Sequence, residues 1–339
     1  MSEKPLFEAI RNGHGSIVKL MIASDCIDPN CEYSGWTPLS FAASYGHEAV
    51  VKLLLAMDGI NPNLPGNGYT PLSLAARMGR EGLVKELLAT NGIDPNGEDS
   101  SGRTPLSWAA QKGHEAVVNL LLASDVINPN STDSFRRTPL SWAALKGHET
   151  VVKLLLASDG IDPNSKDSFR RTPLSWAAQE GHEGVVKLLL AMDGVDPNLP
   201  GSHGDTPLSL AAQKGHEGVV KLLLAMDPVD PNLPDSDGNT PLSWAAGTGR
   251  EGVVKLFLAT DGVDLNRADS DGNTPLSLAA GMRHEGIVNL LLATDGVDLN
   301  RADSDGNTPL SLAAGMGHEG IVKLLLATDG VDPNLPGSD

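Results

Sequence analysis

Asp235-Ser236-Asp237-Gly238-Asn239-Thr240-Pro241-Leu242 opens a unit of this chain that closes at Asn266. Asp235 to Gly238 has the composition of a tight turn, with glycine supplying the φ > 0 position at low cost. Thr240 is a suitable N-cap and Pro241 fits the first helical position, where a missing N–H does no harm. A short helix is therefore predicted through Leu242, Trp244, Ala245 and Ala246, ended by Gly249. The alanines let a second helix approach closely. That helix starts near Arg250-Glu251 and gathers Val253, Val254, Leu256, Phe257 and Leu258 on one apolar face, and Asp261-Gly262 closes it. Val263-Asp264-Leu265-Asn266 leads into the next turn, so the unit reads turn, helix, turn, helix, finger.

The same signature recurs along the chain. Thr-Pro-Leu starts at Thr37, Thr70, Thr104, Thr138, Thr172, Thr206, Thr240, Thr274 and Thr308, with a spacing of 33 once and 34 seven times. A divergent unit precedes them, with Pro5-Leu6-Phe7-Glu8-Ala9-Ile10 in place of the later Pro-Leu-Ser-Leu-Ala-Ala. A period in this range marks a stacked-repeat fold, in which no unit buries its apolar face without its neighbours. Composition agrees: 339 residues with only 4% aromatics cannot fill several thick cores, so the core is thin and repeated. The expected organisation is an N-terminal capping repeat at 1–30, nine repeats at 31–334, and the start of a further finger at 335–339.

Asp-x-x-Gly-x-Thr-Pro-Leu, then Ala-Ala-x-x-Gly-His, then Val-Val-Lys-Leu-Leu-Leu, recurring in register, resembles the ankyrin repeat. It also resembles the near-identical arrays of fungal ankyrin proteins. The resemblance implies an all-α solenoid of about ten helix-turn-helix repeats with β-hairpin or turn fingers, and binding of a protein partner without catalysis. The family's usual His after Thr-Pro-Leu is Ser here, as at Ser40, Ser107 and Ser243, so the hydrogen bond within the repeat must be rearranged. Asparagines of the hairpin are hydroxylated in some ankyrin proteins, and Leu258–Asn266 and Leu292–Asn300 resemble the favoured spacing.

Basic residues number 25 and acidic residues 43, a formal charge of −18 that repels nucleic acid and anionic lipid. Cys26 and Cys31 show no disulfide framework and no zinc spacing, which points to reduced thiols in an intracellular, cytoplasmic setting, the nucleus remaining open. The start, Met-Ser-Glu-Lys-Pro-Leu-Phe-Glu, carries no apolar targeting segment, and runs such as Leu53–Met57 are too short to span a bilayer.

Function in such an array is expected where copies differ. Arg267–Asn300 and Arg301–Asn334 differ only at Arg283/Gly317, Asn289/Lys323 and Leu299/Pro333. The residue before Thr-Pro, by contrast, runs Trp36, Tyr69, Arg103, Arg137, Arg171, Asp205, Asn239, Asn273, Asn307. Phe135 and Phe169 stand two residues earlier, and Arg136 and Arg170 replace the turn glycine. Aromatics and arginine are common interface hot spots. The binding centre is therefore placed on the fingers of 131–198, at Phe135, Arg136, Arg137, Phe169, Arg170 and Arg171. It extends towards Trp36, Tyr69 and Arg103, and to Tyr45 and Met78 on the inner helices. The alternative is that each Phe packs on neighbouring turns while each Arg pairs with Asp133 or Asp167. Segment 131–198 holds eight basic and nine acidic residues and 267–334 four and ten, so the charge is polarised along the chain.

Other chemistries find little support. Eight of the nine histidines occupy one framework position, after Gly in all but His284, too far apart to share a metal. Trp108, Trp142, Trp176 and Trp244 fall at a core position held elsewhere by Leu, and no glycine-rich phosphate loop occurs. No catalytic residue, cofactor or metal site is expected. Glu8, Arg11 and Asn12 give the first unit a polar cap, whereas the last keeps Ile321-Val322-Lys323-Leu324-Leu325-Leu326, which suggests end-to-end self-association or a continuing chain. An architectural spacer, and a small-molecule or enzymatic groove built from Tyr45, Met78 and Arg103, remain the alternative function classes.

Overall fold

From Thr37 onward each first helix begins where a threonine hydroxyl caps its open end, whereas the first helix of the chain, Lys4–Arg11, starts at Glu3 without a side-chain cap. In the computed structural model, which describes residues 3–23 and 28–335, Thr104 has extended φ,ψ (−83°, 165°) and its Oγ1 accepts the Ser107 N–H at 3.3 Å, starting the helix Pro105–Lys112. The serine that replaces histidine has a role of its own. At Thr37, Thr172 and Thr206 the serine hydroxyl three residues on also accepts the cap residue's own N–H, at 3.1, 3.3 and 2.8 Å. These are reciprocal capping boxes built from Thr and Ser.

Twenty helices of seven or eight residues are described, in ten pairs. Both helices of the unit that decided the fold lie close to expectation, at Pro241–Gly247 and Glu251–Leu258. The second stops at Leu258, earlier than Asp261-Gly262, and the Thr260 hydroxyl donates to the Leu256 carbonyl at 2.8 Å past its end. Among the described residues no strand forms. The only β-bridges among the described residues are Tyr33 with Trp36 and Gly66 with Tyr69, so of the two forms expected for the fingers the turn prevails there. Cys26 and 336–339 lie outside the described residues.

The chain divides into two compact units, Met1–Ser168 and Phe169–Asp339. Within each, first helices stack on first helices and second helices on second helices. The paired alanines, such as Ala109 and Ala110, and the valines and leucines of the second helix, such as Val118 and Leu121, are fully buried at these contacts. Short apolar side chains therefore set the helix spacing.

Polar groups tie the loops of successive repeats together. In the first unit Asn63 donates through Nδ2 to the Gly92 carbonyl at 2.7 Å and accepts the Asp94 N–H at 2.8 Å. In the second unit Asn232 does the same with Gly262 and Asp264, both at 2.8 Å. Asn30, Asn96, Asn130, Asn266 and Asn300 repeat this double bond, so Asn266, in the hydroxylation-like stretch, has both amide atoms engaged. The finger tips form a second ladder. Ser100 N–H bonds the Gly68 carbonyl and Ser134 N–H the Ser101 carbonyl in the first unit, and Ser236 and Ser270 bond His203 and Asp237 in the second.

The framework histidines form a third ladder. His47, His114 and His148 reach the carbonyls of Arg11, Arg77 and Gln111 in the preceding repeat at 2.9 to 3.1 Å. His216, His284 and His318 do so in the second unit. Where Arg250 replaces histidine, its Nε donates to the Gln213 carbonyl at 3.0 Å and keeps the bridge. The structural role read for these histidines is thus a specific one: they satisfy the carbonyl end of a neighbouring helix.

Replacing Asn232 with Ala removes both bonds to the next repeat. The expected cost is about 1–3 kcal/mol, read as a lower urea midpoint with an unchanged helical baseline. An unchanged midpoint would show that the asparagine ladder does not couple the repeats.

Candidate partner-binding faces

The aromatic and basic residues expected to meet a partner take two different orientations. In the first unit the guanidinium of Arg103 lies between two indoles, 4.4 Å from the centroid of Trp108 and 4.5 Å from that of Trp142. Arg137 covers Trp142 at 3.9 Å and the Phe135 ring at 4.7 Å. Arg77 lies 5.1 Å from Tyr69 and 4.9 Å from Trp108, and Tyr69 is tilted against Trp108 at 5.7 Å. Guanidinium and ring thus alternate along the inner side of the fingers, each contact drawn together by the ring quadrupole.

Carboxylates under the rings fix this arrangement. Asp99 is buried and its Oδ2 accepts the Trp108 indole N–H at 2.8 Å. Asp133, 5% exposed, accepts the Phe135 and Arg137 backbone N–H groups on Oδ1, both at 2.9 Å. Its Oδ2 takes the Trp142 indole N–H and Arg137 Nε, each at 3.2 Å. Arg103 Nε is buried 3.8 Å away, close enough for charge attraction and too far for a hydrogen bond. Burying a carboxylate is costly unless its lone pairs are met, and Asp133 meets them with two backbone N–H groups, one indole N–H and Arg137, while Arg103 adds charge attraction. Arg103 and Arg137 are accordingly only 18% and 16% exposed at the side chain. Both face Asp133, the pairing that the alternative reading names.

Other expected residues point outward. Phe135 is 51% exposed, and Arg136, Tyr45 and Met78 are exposed as well. Tyr45 stacks on His47 with ring centroids 6.0 Å apart and packs edge-on against Phe41. Trp36, partly exposed, meets Phe41 at 5.6 Å, so the N-terminal part of this face is one aromatic cluster.

The second unit carries Phe169, also 51% exposed, beside the exposed Arg170. Arg171 covers Trp176 at 5.0 Å and pairs through Nη2 with Asp205 at 3.2 Å. It thus faces a ring and a carboxylate, as Arg103 and Arg137 do.

Arg136 and Arg170 share a backbone feature. Both adopt left-handed conformations, with φ of 60° and 59°, at the turn position that Gly35, Gly68, Gly102, Gly204, Gly238, Gly272 and Gly306 fill in the other fingers. The glycine is favoured there for two reasons: its φ is positive, and at Gly102 an added Cβ would meet the Ser134 amide nitrogen at 3.1 Å. A side chain with a Cβ held in αL costs on the order of 1 kcal/mol.

Sequence reasoning missed Arg77, Asp99 and the bracing function of the tryptophans. The signal was present as a basic residue one position before Met78, but one of its two partner rings, Trp108, comes from the following repeat. Burial and the negative charges of Glu3 and Asp28 push the Cys31 thiol up to about 11, against a smaller opposing effect of its backbone hydrogen bond. Among the described residues no cluster of His, Cys, Asp and Glu is placed to hold a metal ion, and no helix is long and apolar enough to cross a membrane.

The family model for ankyrin repeats matches residues 1–65, 61–133, 126–201, 194–269 and 251–336. This chain therefore belongs to the ankyrin-repeat family, whose repeats are in general protein–protein interaction modules. A search among curated proteins returns no match.

Replacing Arg136 with Gly is expected to leave stability unchanged or raise it by up to about 1 kcal/mol, measured by urea titration. A loss larger than that would make Arg136 a structural residue. In a Cys26→Ser chain, Cys31 is expected to alkylate with iodoacetamide at pH 8 about a hundredfold more slowly than a free cysteine, because so little thiolate is present. Alkylation at the free-thiol rate would contradict the raised pKa.

Proposed function

We propose that this chain is a protein-binding module that performs no catalysis, and that each unit engages its partner through its exposed finger residues. On the first unit these are Phe135 and Arg136, with Tyr45 and Met78 on the inner helices; on the second they are Phe169 and Arg170. The observation that carries the reading is the pair of arginines held in the left-handed turn conformation beside exposed phenylalanines. Both features reduce the fitness of an isolated fold, since strain and exposed rings are retained where something else depends on them. Trp36, Tyr69, Arg103, Arg137 and Arg171 position these contacts instead of making them.

The stack behind the fingers supports the reading through preorganisation. A binding residue on a braced support loses little freedom on association, and Arg137 touches the ring of Phe135 directly. The net charge of −18 favours a partner with a basic surface and disfavours nucleic acid and anionic membranes. A cytoplasmic setting fits reduced cysteines.

The test is affinity capture from a lysate of the source organism, with the native chain compared against Tyr45→Ala, Phe135→Ala and Arg136→Gly combined. These side chains are exposed, so the circular dichroism spectrum is expected to stay unchanged. A protein held by the native chain and lost with the variant is the predicted outcome. Identical capture by both would move the site off these fingers.

A further inference from the structure

In the first unit Arg103 occupies a slot whose parts are easily named. The tryptophan of its own repeat, Trp108, forms one wall and that of the next repeat, Trp142, the other. The next finger's aspartate, Asp133, lies at the end and also holds the Trp142 indole N–H. The chain thus contains a filled guanidinium site of its own making.

The second unit contains the same slot without its occupant. Trp244 donates its indole N–H to Asp235 Oδ2 at 2.7 Å, which reproduces the pair of Trp142 and Asp133. The position of Arg103, however, is Asp205, and that of Trp108 is Leu210. Both changes remove volume, and they leave an open cavity of about 300 Å³ lined by Arg171, His203, Asp205, Leu210, Asp235 and Trp244. Trp244 is correspondingly more exposed than the buried Trp108 and Trp142.

The charges fit a cation. Arg171 and Asp205 neutralise each other across 3.2 Å. Asp235 Oδ1 accepts the N–H groups of Asp237 and Asn239 at 3.0 and 2.8 Å, and Oδ2 takes only the indole. Among the described residues no ion pair reaches Asp235 or Asp237, whereas Asp133 faces two arginines. Asp237 adds a second carboxylate to the lining.

We propose that this cavity is a receptor slot for a guanidinium group, which stacks on Trp244 against Leu210 and pairs with the Asp235 carboxylate. The planar, weakly hydrated guanidinium suits a site between two apolar faces, and a compact ammonium does not. An open cavity of about 300 Å³ has room for one such side chain. The slot shares no residue with the exposed fingers of the first unit, so it stands or falls separately from them.

The test follows the five tryptophan indole signals of the full chain by NMR, with N-acetyl-arginine amide and N-acetyl-lysine amide as probes. Trp244→Leu assigns its signal, and leucine already stands at this position in Leu210, Leu278 and Leu312. The arginine probe is expected to move the Trp244 signal saturably, with a Kd on the order of millimolar, and the lysine probe to leave it in place. Asp205→Arg supplies the guanidinium from the chain itself, as Arg103 does. It is expected to shift Trp244 unaided and to abolish the response to the probe while the Trp36, Trp108 and Trp142 signals stay put; Trp176 is not a control here, because Arg171, which covers it, loses its Asp205 partner. A Trp244 signal that ignores the arginine probe, follows lysine equally, or responds unchanged in Asp205→Arg overturns the proposal. A neutral peptide with one central arginine distinguishes the sources: binding at least about tenfold tighter than the amide points to a protein segment, and equal binding to a free guanidinium compound.

Discussion

Within each unit the loops of one repeat are completed by the repeat that follows. A helix pair with loops of this length cannot satisfy its own turn amides and helix-end carbonyls, and its apolar face is open until a neighbour covers it. Asparagine amides, finger-tip N–H groups and framework histidines meet these needs at three levels of the same junction. The near-constant period fits this, and the one spacing of 33 keeps the bonds of Asn30 and Asn63 intact. The narrow choice of residues at the turn fits it too, since the close approach of Ser134 to Gly102 leaves little room for a side chain.

Against that frame the inner side of the fingers is where residues are free to differ, and the first unit uses the freedom to build a stack. Each guanidinium and ring contact is worth roughly 0.5–2 kcal/mol, and the buried carboxylate beneath would be costly without its donors. The result is a stiff support under Phe135. In the second unit the replacement of arginine by Asp205 and of tryptophan by Leu210 leaves the acceptor half of the site in place, so one architecture yields a braced face and an open slot.

The fold was legible because its determinants are local or periodic. Thr-Pro starts the helices, glycine shapes the turns, and the recurrence reveals stacking without any long-range information. The site was legible only in part. The exposure of Phe135 and Phe169 and the strain at Arg136 and Arg170 follow from their place at the turn tip. The inward course of Arg103, Arg137 and Arg171 does not, because a long side chain on a finger chooses between solvent and a ring supplied from elsewhere in the stack. The tryptophans read as core, which the burial of Trp108 and Trp142 supports, yet the indole N–H groups of Trp108, Trp142 and Trp244 organise the polar side of the same contact. The cavity at Trp244 needed both readings together: a missing arginine is informative only once the filled slot at Arg103 is known.

Residue-resolved hydrogen exchange on the native chain tests the central claim most directly. If neighbouring repeats complete each other's loops, the amides of Asp94 and Ser100 in the first unit and of Ser236 and Asp264 in the second are protected despite lying in surface loops, and their protection tracks that of the adjoining helices. Exchange of these amides at unstructured rates, while the helices stay protected, would contradict it and leave apolar packing as the sole coupling between repeats.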